Sequence, residues 1–180
     1  MTHSYLIDNE VLHSYLGCHH RLDELPHDSI CKQIEENAKS ARAHRNLIHE
    51  YSLRLCERLD ADQLRWEIYD HEKDIEMGEN KEYHITEIKQ LQERGHGCYY
   101  YLESGSKYYK LVHEDGHQRS AHCFIDKATG QVFKAASWSN PAKKARYDLM
   151  SEFSRKICYS MADWNGDYLH ERSDNCTYEP

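Results

Sequence analysis

The hydrophobic pattern of this 180-residue chain changes at Gly95–Gly97. Before that point, apolar residues recur every three to four positions, the spacing that lines one face of an α-helix. After it, short stretches rich in aromatic and β-branched residues alternate with turn-forming residues, as in antiparallel strands. The order of the two patterns predicts an α+β protein with a helical region at 1–95 and an antiparallel sheet plus C-terminal helix at 96–180. Two separate domains and one continuous domain are both compatible with this order.

The first region begins with a short and then a long predicted helix. Asp8 caps the short one, which ends at Gly17. The long one runs from Asp28 or Ser29 to about Leu59. Its predicted apolar face consists of Ile30, Ile34, Ala38, Ala41, Ile48, Leu55 and Leu59.

Two further helices are expected before the pattern changes. The stretch LDADQL predicts a break, at which Asp60 or Asp62 caps a helix that continues to Gly78. The last helix spans about Tyr83–Arg94 and stops at Gly95. The helical region is therefore predicted to consist of antiparallel helices packed through narrow apolar faces.

The second region predicts a four-stranded antiparallel meander. Its strands are CYYYLE, KYYKLVH, RSAHCFID and QVFKAA, separated by SGS, EDG and KATG. The stretch SWSNP is expected to end the sheet. A helix over Ser151–Ala162 follows, with Phe153, Ile157 and Met161 predicted on one of its sides.

Charge and cysteine usage limit the compartment and the partners. Residues 1–95 carry 20 acidic and 12 basic residues, whereas 96–180 carry 11 of each, so the net charge of −8 belongs to the first region. There is no stretch of the ~20 apolar residues that a membrane span needs, and residues 1–9 do not resemble a signal peptide. Seven irregularly spaced cysteines without a C-x-x-C pair favour reduced thiols. The chain is expected to be soluble and cytoplasmic, with no membrane partner.

One segment spells the H-E-x-x-H motif of zinc hydrolases, with His113, Glu114 and His117. That chemistry needs both histidines on one helical face. Asp115-Gly116 lies between them, and this dipeptide is a strong hairpin signal and a poor helix interior. The segment is predicted to be a turn, and a metal-dependent hydrolase is a minor alternative.

No other segment predicts an enzyme. Nucleophile-elbow, phosphate-loop and dinucleotide motifs are absent from the sequence. Residues Cys18, His19, His20, His27 and Cys31 are zinc-ligand types, but their spacing matches no compact zinc knuckle. Exposed histidines are favoured there, and a structural zinc stays open. We predict no catalytic residue, no cofactor and no metal site.

Nucleic-acid binding is the main alternative to protein binding. Single-strand binders place aromatic rings on a sheet beside cations that follow the phosphates. Alternation along the first strand puts Tyr100 on one face and Tyr99 with Tyr101 on the other, so one set is expected to be buried and the other exposed. The candidate residues are Tyr99, Tyr101, Tyr108, Lys134, Lys143, Lys144 and Arg146, the last four forming the 134–146 basic run.

Residues 120–150 resemble a segment of small uncharacterised proteins of tailed bacteriophages and cyanophages. In that family a D-K-x-T-G hairpin is followed by an A-S-W-x-x-P-A-K segment, and both patterns occur here. Ala135-Ala136 departs from the family, which commonly has Lys-Pro or Lys-Ala at that point. The resemblance implies phage origin rather than a mechanism. The matched residues include Asp126, Gly130, Trp138 and Pro141, and structural roles are favoured for them. Gly130 permits the hairpin, Trp138 can cover the sheet, and Pro141 starts the next segment.

These observations predict a non-enzymatic phage accessory protein. We expect it to act in the host cytoplasm by binding a host or phage protein, through the acidic helical region or the tyrosine-bearing sheet. A single-stranded nucleic-acid-binding protein and a virion structural component are the alternatives.

Overall fold

The computed structural model describes residues 27–116 and 118–170. The chain divides into two units, Met1–Asn46 and Leu47–Pro180. The predicted helix after Asp8 and the candidate zinc ligands Cys18, His19 and His20 lie outside the described residues. None of the helices in the described part of the chain is long and apolar enough to cross a bilayer.

Helix α1 spans His27–Glu76 without interruption, so the predicted break at LDADQL is wrong. No glycine or proline occurs within α1, and the two aspartates serve tertiary contacts rather than a cap. The carboxylate of Asp60 accepts from the backbone N–H of Tyr100 at 3.2 Å. The carboxylate of Asp62 accepts from the backbone N–H of Trp164 at 3.0 Å.

Helix α2 spans Lys81–Arg94, close to the predicted boundaries. The side chain of Asn80 caps its first turn by accepting from the backbone N–H of Tyr83 at 3.4 Å. Gly95 ends the helix with a φ of 78°, a conformation that favours glycine.

Five antiparallel strands follow in one sheet, in the order β1-β2-β3-β4-β5. The α+β class is confirmed, and all four predicted strands are present, but a fifth strand was not predicted. That strand begins with proline and is rich in alanine, lysine and arginine, so its composition does not favour a strand, although all of these are tolerated at a sheet edge. The strands are β1 Cys98–Ser104, β2 Tyr108–Asp115, β3 Gln118–Asp126, β4 Gln131–Ala135 and β5 Pro141–Asp148.

The β3–β4 hairpin is built by Asp126 and Gly130. The Asp126 carboxylate accepts from the backbone N–H groups of Ala128 at 2.8 Å and Thr129 at 3.1 Å. The backbone N–H of Gly130 donates to the carbonyl of Asp126 at 2.8 Å, and its φ of 77° is in the left-handed region. The hairpin is joined to the end of β5 by a backbone hydrogen bond, in which the carbonyl of Gly130 accepts from the N–H of Leu149 at 3.0 Å.

The hydrophobic core lies between α1, one face of the sheet and the C-terminal helix α3, Glu152–Met161. Ile48, Leu55 and Leu59 of α1 are all fully buried, which confirms this part of the predicted apolar face. Tyr159 of α3 joins the layers by donating to the backbone carbonyl of Tyr51 at 2.8 Å.

The apolar residues that recur every four positions in α3 lie on a side of the helix that is exposed. Phe153 is 76% exposed, and Ile157 and Met161 are each 37% exposed, whereas Cys158 is fully buried. The side chain of Ser154 accepts from the backbone N–H of Asp148 at 2.8 Å. This contact turns the Ser154–Cys158 side of the helix toward the sheet, because residues four apart share one helical face.

Candidate functional site

The two faces of the sheet differ in what covers them. Tyr100, Leu111 and Cys123 belong to the core, so alternation directs Tyr101 and Lys110 to the opposite face. We call this the outer face. It comprises Tyr99, Tyr101 and Glu103 of β1, Tyr108, Lys110 and Glu114 of β2, Arg119 and Phe124 of β3, Phe133 of β4, and Trp138 of the β4–β5 loop.

Trp138 lies over the outer face, as the sequence predicted. The ammonium of Lys110 is 3.7 Å from the centroid of the Trp138 ring, and the guanidinium of Arg119 is 5.2 Å from it. Beneath this layer Val112 is fully buried and Phe124 is 4% exposed. Trp138 itself is 40% exposed, so the outer face presents a large aromatic ring held by two cations.

The cations of the outer face are paired with carboxylates of the same face. Lys110 lies 2.8 Å from a Glu103 oxygen, and Arg119 contacts both Glu103 and Glu114. The hydroxyl of Tyr101 donates to Glu114 at 2.8 Å. The hydrogen bond from Lys110 and the contact with Arg119 hold the pKa of Glu103 below its usual value. The layer is therefore rich in aromatic rings but close to electroneutral.

Only three of the seven predicted nucleic-acid residues lie on this face. Tyr99 is 64% exposed, and Tyr101 and Tyr108 are half-buried. Lys134 belongs instead to the core side of the sheet, where its ammonium lies 2.7 Å from a ring nitrogen of His170.

The other three predicted residues lie on β5. Lys143 and Lys144 are exposed there, and Arg146 donates to the carbonyl of Leu169 at 2.8 Å. Strands β1 and β5 are at opposite edges of the sheet, which places them roughly 19 Å apart at the usual strand spacing. The structure does not bring the predicted tyrosines and the basic run together.

The H-E-x-x-H segment forms a hairpin, as predicted. His113 and Glu114 lie in β2, and Gly116 turns the chain with a φ of 57°. His117 lies outside the described residues. His113 stacks on Tyr100 with ring centroids 4.6 Å apart, so this histidine packs against the core rather than lying on a helix.

A cleft of about 350 Å³ opens on the core side of the sheet, beside residues 164–170. A β-bulge creates part of it, because the pairing register between β2 and β3 shifts after Leu111 and leaves His122 as an extra residue. The Nε2 of His122 lies 3.1 Å from the hydroxyl of Tyr168. Burial, and then the neighbouring His113, lower the pKa of His122 to about 4. The other prominent lining residues are Lys134, Trp164 and His170.

His122 is expected to make the stability of the fold depend on pH. Its folded pKa of about 4 lies below the ~6.5 of an unfolded histidine, so the unfolded chain takes up this proton first on acidification. The contribution of neutral His122 to the free energy of unfolding is fully present above pH ~6.5 and decreases as the pH falls to ~4. The loss between pH 7 and pH 5 is about 2 kcal/mol. Urea unfolding at both pH values measures it. The variant His122→Gln should reduce this difference, and an unchanged difference would contradict the assignment.

Within residues 27–116 and 118–170, two clusters of metal-ligand residues are present that were not predicted from the sequence. One consists of His71 and Asp74 of α1 with His84 of α2, and the other of Glu67, His96 and Cys98. The cluster of Glu67 needs a contact between segments remote in sequence, so spacing alone could not reveal it. The local signals were the H-x-C spacing in GHGC and the position of Asp74 three residues after His71 on one helix.

The model of one protein family matches residues 31–171, and its description is a family of unknown function (DUF7717). No curated protein and no solved structure matches the chain.

Proposed function

The chain belongs to the family of unknown function DUF7717, and we propose that it acts by binding a partner protein through the outer face. The observation that carries this proposal is the layer formed by Trp138, Lys110 and Arg119. Tyrosine, tryptophan and arginine are the residues that most often dominate the binding energy of protein interfaces. Here they lie together on one sheet face and are already oriented by contacts with one another.

The charge arrangement favours a protein partner over a polyanion. Lys110 and Arg119 are neutralised by Glu103 and Glu114 within the face, so they offer little net attraction to a row of phosphates. The net charge of the chain is −8 and comes from residues 1–95. A partner that packs apolar or aromatic groups against Trp138 gains contact area without leaving these ion pairs unpaired.

The test is capture of a partner by cross-linking from infected and uninfected host cells, followed by measurement of its affinity for variants. We expect Trp138→Ala to weaken binding by roughly 30-fold, the usual effect of losing a central interface tryptophan. Phe153→Ala is the matched control, because Phe153 is a 76% exposed aromatic residue on α3 and lies outside the outer face. Equal affinities of wild type and Trp138→Ala would overturn the proposal.

Single-stranded nucleic acid is tested in the same preparations. If the chain binds single-stranded DNA with a steep dependence on salt, and Lys143→Glu with Lys144→Glu removes that binding, the partner is a nucleic acid and the protein-binding proposal fails. The phage origin implied by residues 120–150 and a role in the virion stay predictions.

A further inference from the structure

We propose that Glu67, His96 and Cys98 bind a divalent metal ion of the zinc type, at the point where α1 meets the start of the sheet. A carboxylate oxygen of Glu67, a ring nitrogen of His96 and the Sγ atom of Cys98 all lie within 4.8 Å of one another. Ligand atoms around a tetrahedral zinc are roughly 3.3 to 3.8 Å apart, given bonds of about 2.0 to 2.3 Å. Small side-chain rotations therefore bring the three atoms to coordination distance.

The hydrogen bonding of His96 prepares it as a ligand. Its Nε2 lies 3.0 Å from the backbone carbonyl of Asp60. A carbonyl only accepts hydrogen bonds, so in the neutral ring Nε2 carries the proton and Nδ1 carries the lone pair. Metal-binding histidines are commonly fixed in this way, with the second ring nitrogen donating to a backbone carbonyl.

The Nδ1 atom of His96 is buried and has no hydrogen-bond partner among the described residues, and only 8% of the His96 side chain is exposed. Leaving a buried nitrogen without a hydrogen bond destabilises the folded state. A metal ion bound at Nδ1 removes that destabilisation. This orphan nitrogen is an observation independent of the grouping of the three residues.

The chemistry of the ligand set selects the metal. A thiolate, an imidazole and a carboxylate together suit zinc, whereas magnesium and calcium prefer oxygen ligands alone. The charges of the Cys98 thiolate and the Glu67 carboxylate balance a divalent ion. Asp115 lies opposite Cys98 in the pairing of β1 with β2. Three protein ligands leave the fourth position of a tetrahedral zinc to a water molecule.

The cluster of His71, Asp74 and His84 is the weaker candidate. The two Nδ1 atoms of His71 and His84 lie 2.9 Å apart, which is a hydrogen bond between the rings. Each of these nitrogens is already satisfied by the other, unlike Nδ1 of His96. This cluster supplies a useful comparison because it contains no thiol.

The test is titration of the full-length, tag-free, reduced protein with Co²⁺ and then Zn²⁺. We expect one Co²⁺ to give the near-ultraviolet thiolate-to-cobalt absorption and Zn²⁺ to displace it. Cys98→Ser should abolish that absorption. His96→Ala should weaken Zn²⁺ binding by at least about 100-fold, because loss of a residue that only supports a metal ligand already weakens metal binding by about 10- to 100-fold. Glu67→Gln, which retains the shape of the side chain, should also weaken binding. Circular dichroism checks that each variant is folded.

Cys31→Ser and His84→Ala are the controls. Cys31 is an exposed thiol outside the cluster, and its replacement should leave the cobalt absorption unchanged. Absorption that is lost in Cys31→Ser, or retained in Cys98→Ser, would place the ion elsewhere and overturn the proposal. Zn²⁺ binding that depends on His84 but not on His96, or no binding at all, would overturn it too. None of these outcomes bears on the outer face.

Discussion

The substitution Gly130→Ala is expected to lower the free energy of unfolding by about 2 to 5 kcal/mol. Two costs add. The φ of 77° at Gly130 is a conformation that costs an L-residue roughly 1 to 2 kcal/mol. A Cβ atom at this position would also lie 2.9 Å from Cγ of Met150, and overpacking of a filled site costs about 1 to 3 kcal/mol.

Two companion variants separate these costs in urea denaturation. Gly116→Ala has the same problem of positive φ, at 57°, but nothing lies within 4 Å of its added Cβ. It should therefore lose only the conformational part. Met150→Ala removes the clashing atom, so Gly130→Ala combined with it should be less destabilised than the sum of the two single variants. Equal losses for Gly116→Ala and Gly130→Ala would show that Met150 moves aside freely.

Leu55→Ala is the second substitution with a large expected effect, a loss of about 2 to 5 kcal/mol. Leu55 is fully buried in α1 and belongs to the core cluster with Ile125 and Val132. Removing its side chain deletes apolar contacts and leaves a cavity that the surrounding helix and sheet fill only in part. The midpoint of urea unfolding should fall without a large change in the slope of the transition.

Leu53→Ala is the matched control on the same helix. Leu53 is 42% exposed, and alanine is the better helix former, so its loss should stay within about 1 kcal/mol. The comparison tests which side of α1 faces the sheet. Similar losses at Leu53 and Leu55 would contradict the orientation of α1 described above.

The sequence predicted the elements whose local signals agree with one another. The strands Cys98–Ser104 and Tyr108–Asp115 combine aromatic residues with clear turn residues, and α2 has a glycine at its end. Asp60 and Asp62 misled the prediction, because an aspartate that can cap a helix can equally accept a hydrogen bond from a distant backbone. The spacing of Phe153, Ile157 and Met161 did not reveal which side of α3 packs on the sheet, since the contact of Ser154 with Asp148 decides the rotation of the helix.

The candidate sites were less predictable than the fold. Alternation along β1 correctly separated the buried Tyr100 from the exposed Tyr99, and the position of Trp138 over the sheet was expected. The pairing of Arg119 with two glutamates was not, because it depends on the register between strands. Glu67 and Cys98 are 31 positions apart, so only the tertiary fold brings them to one point.

Strand β5 is one edge of the sheet, and its composition limits how copies of the protein can associate. Pro141 has no backbone N–H to donate, and Lys143 and Lys144 are exposed along the strand. A second copy that extended the sheet here would bring like charges together and lack a hydrogen bond at the proline. We therefore expect this edge to resist fibrillar self-assembly even in concentrated solution.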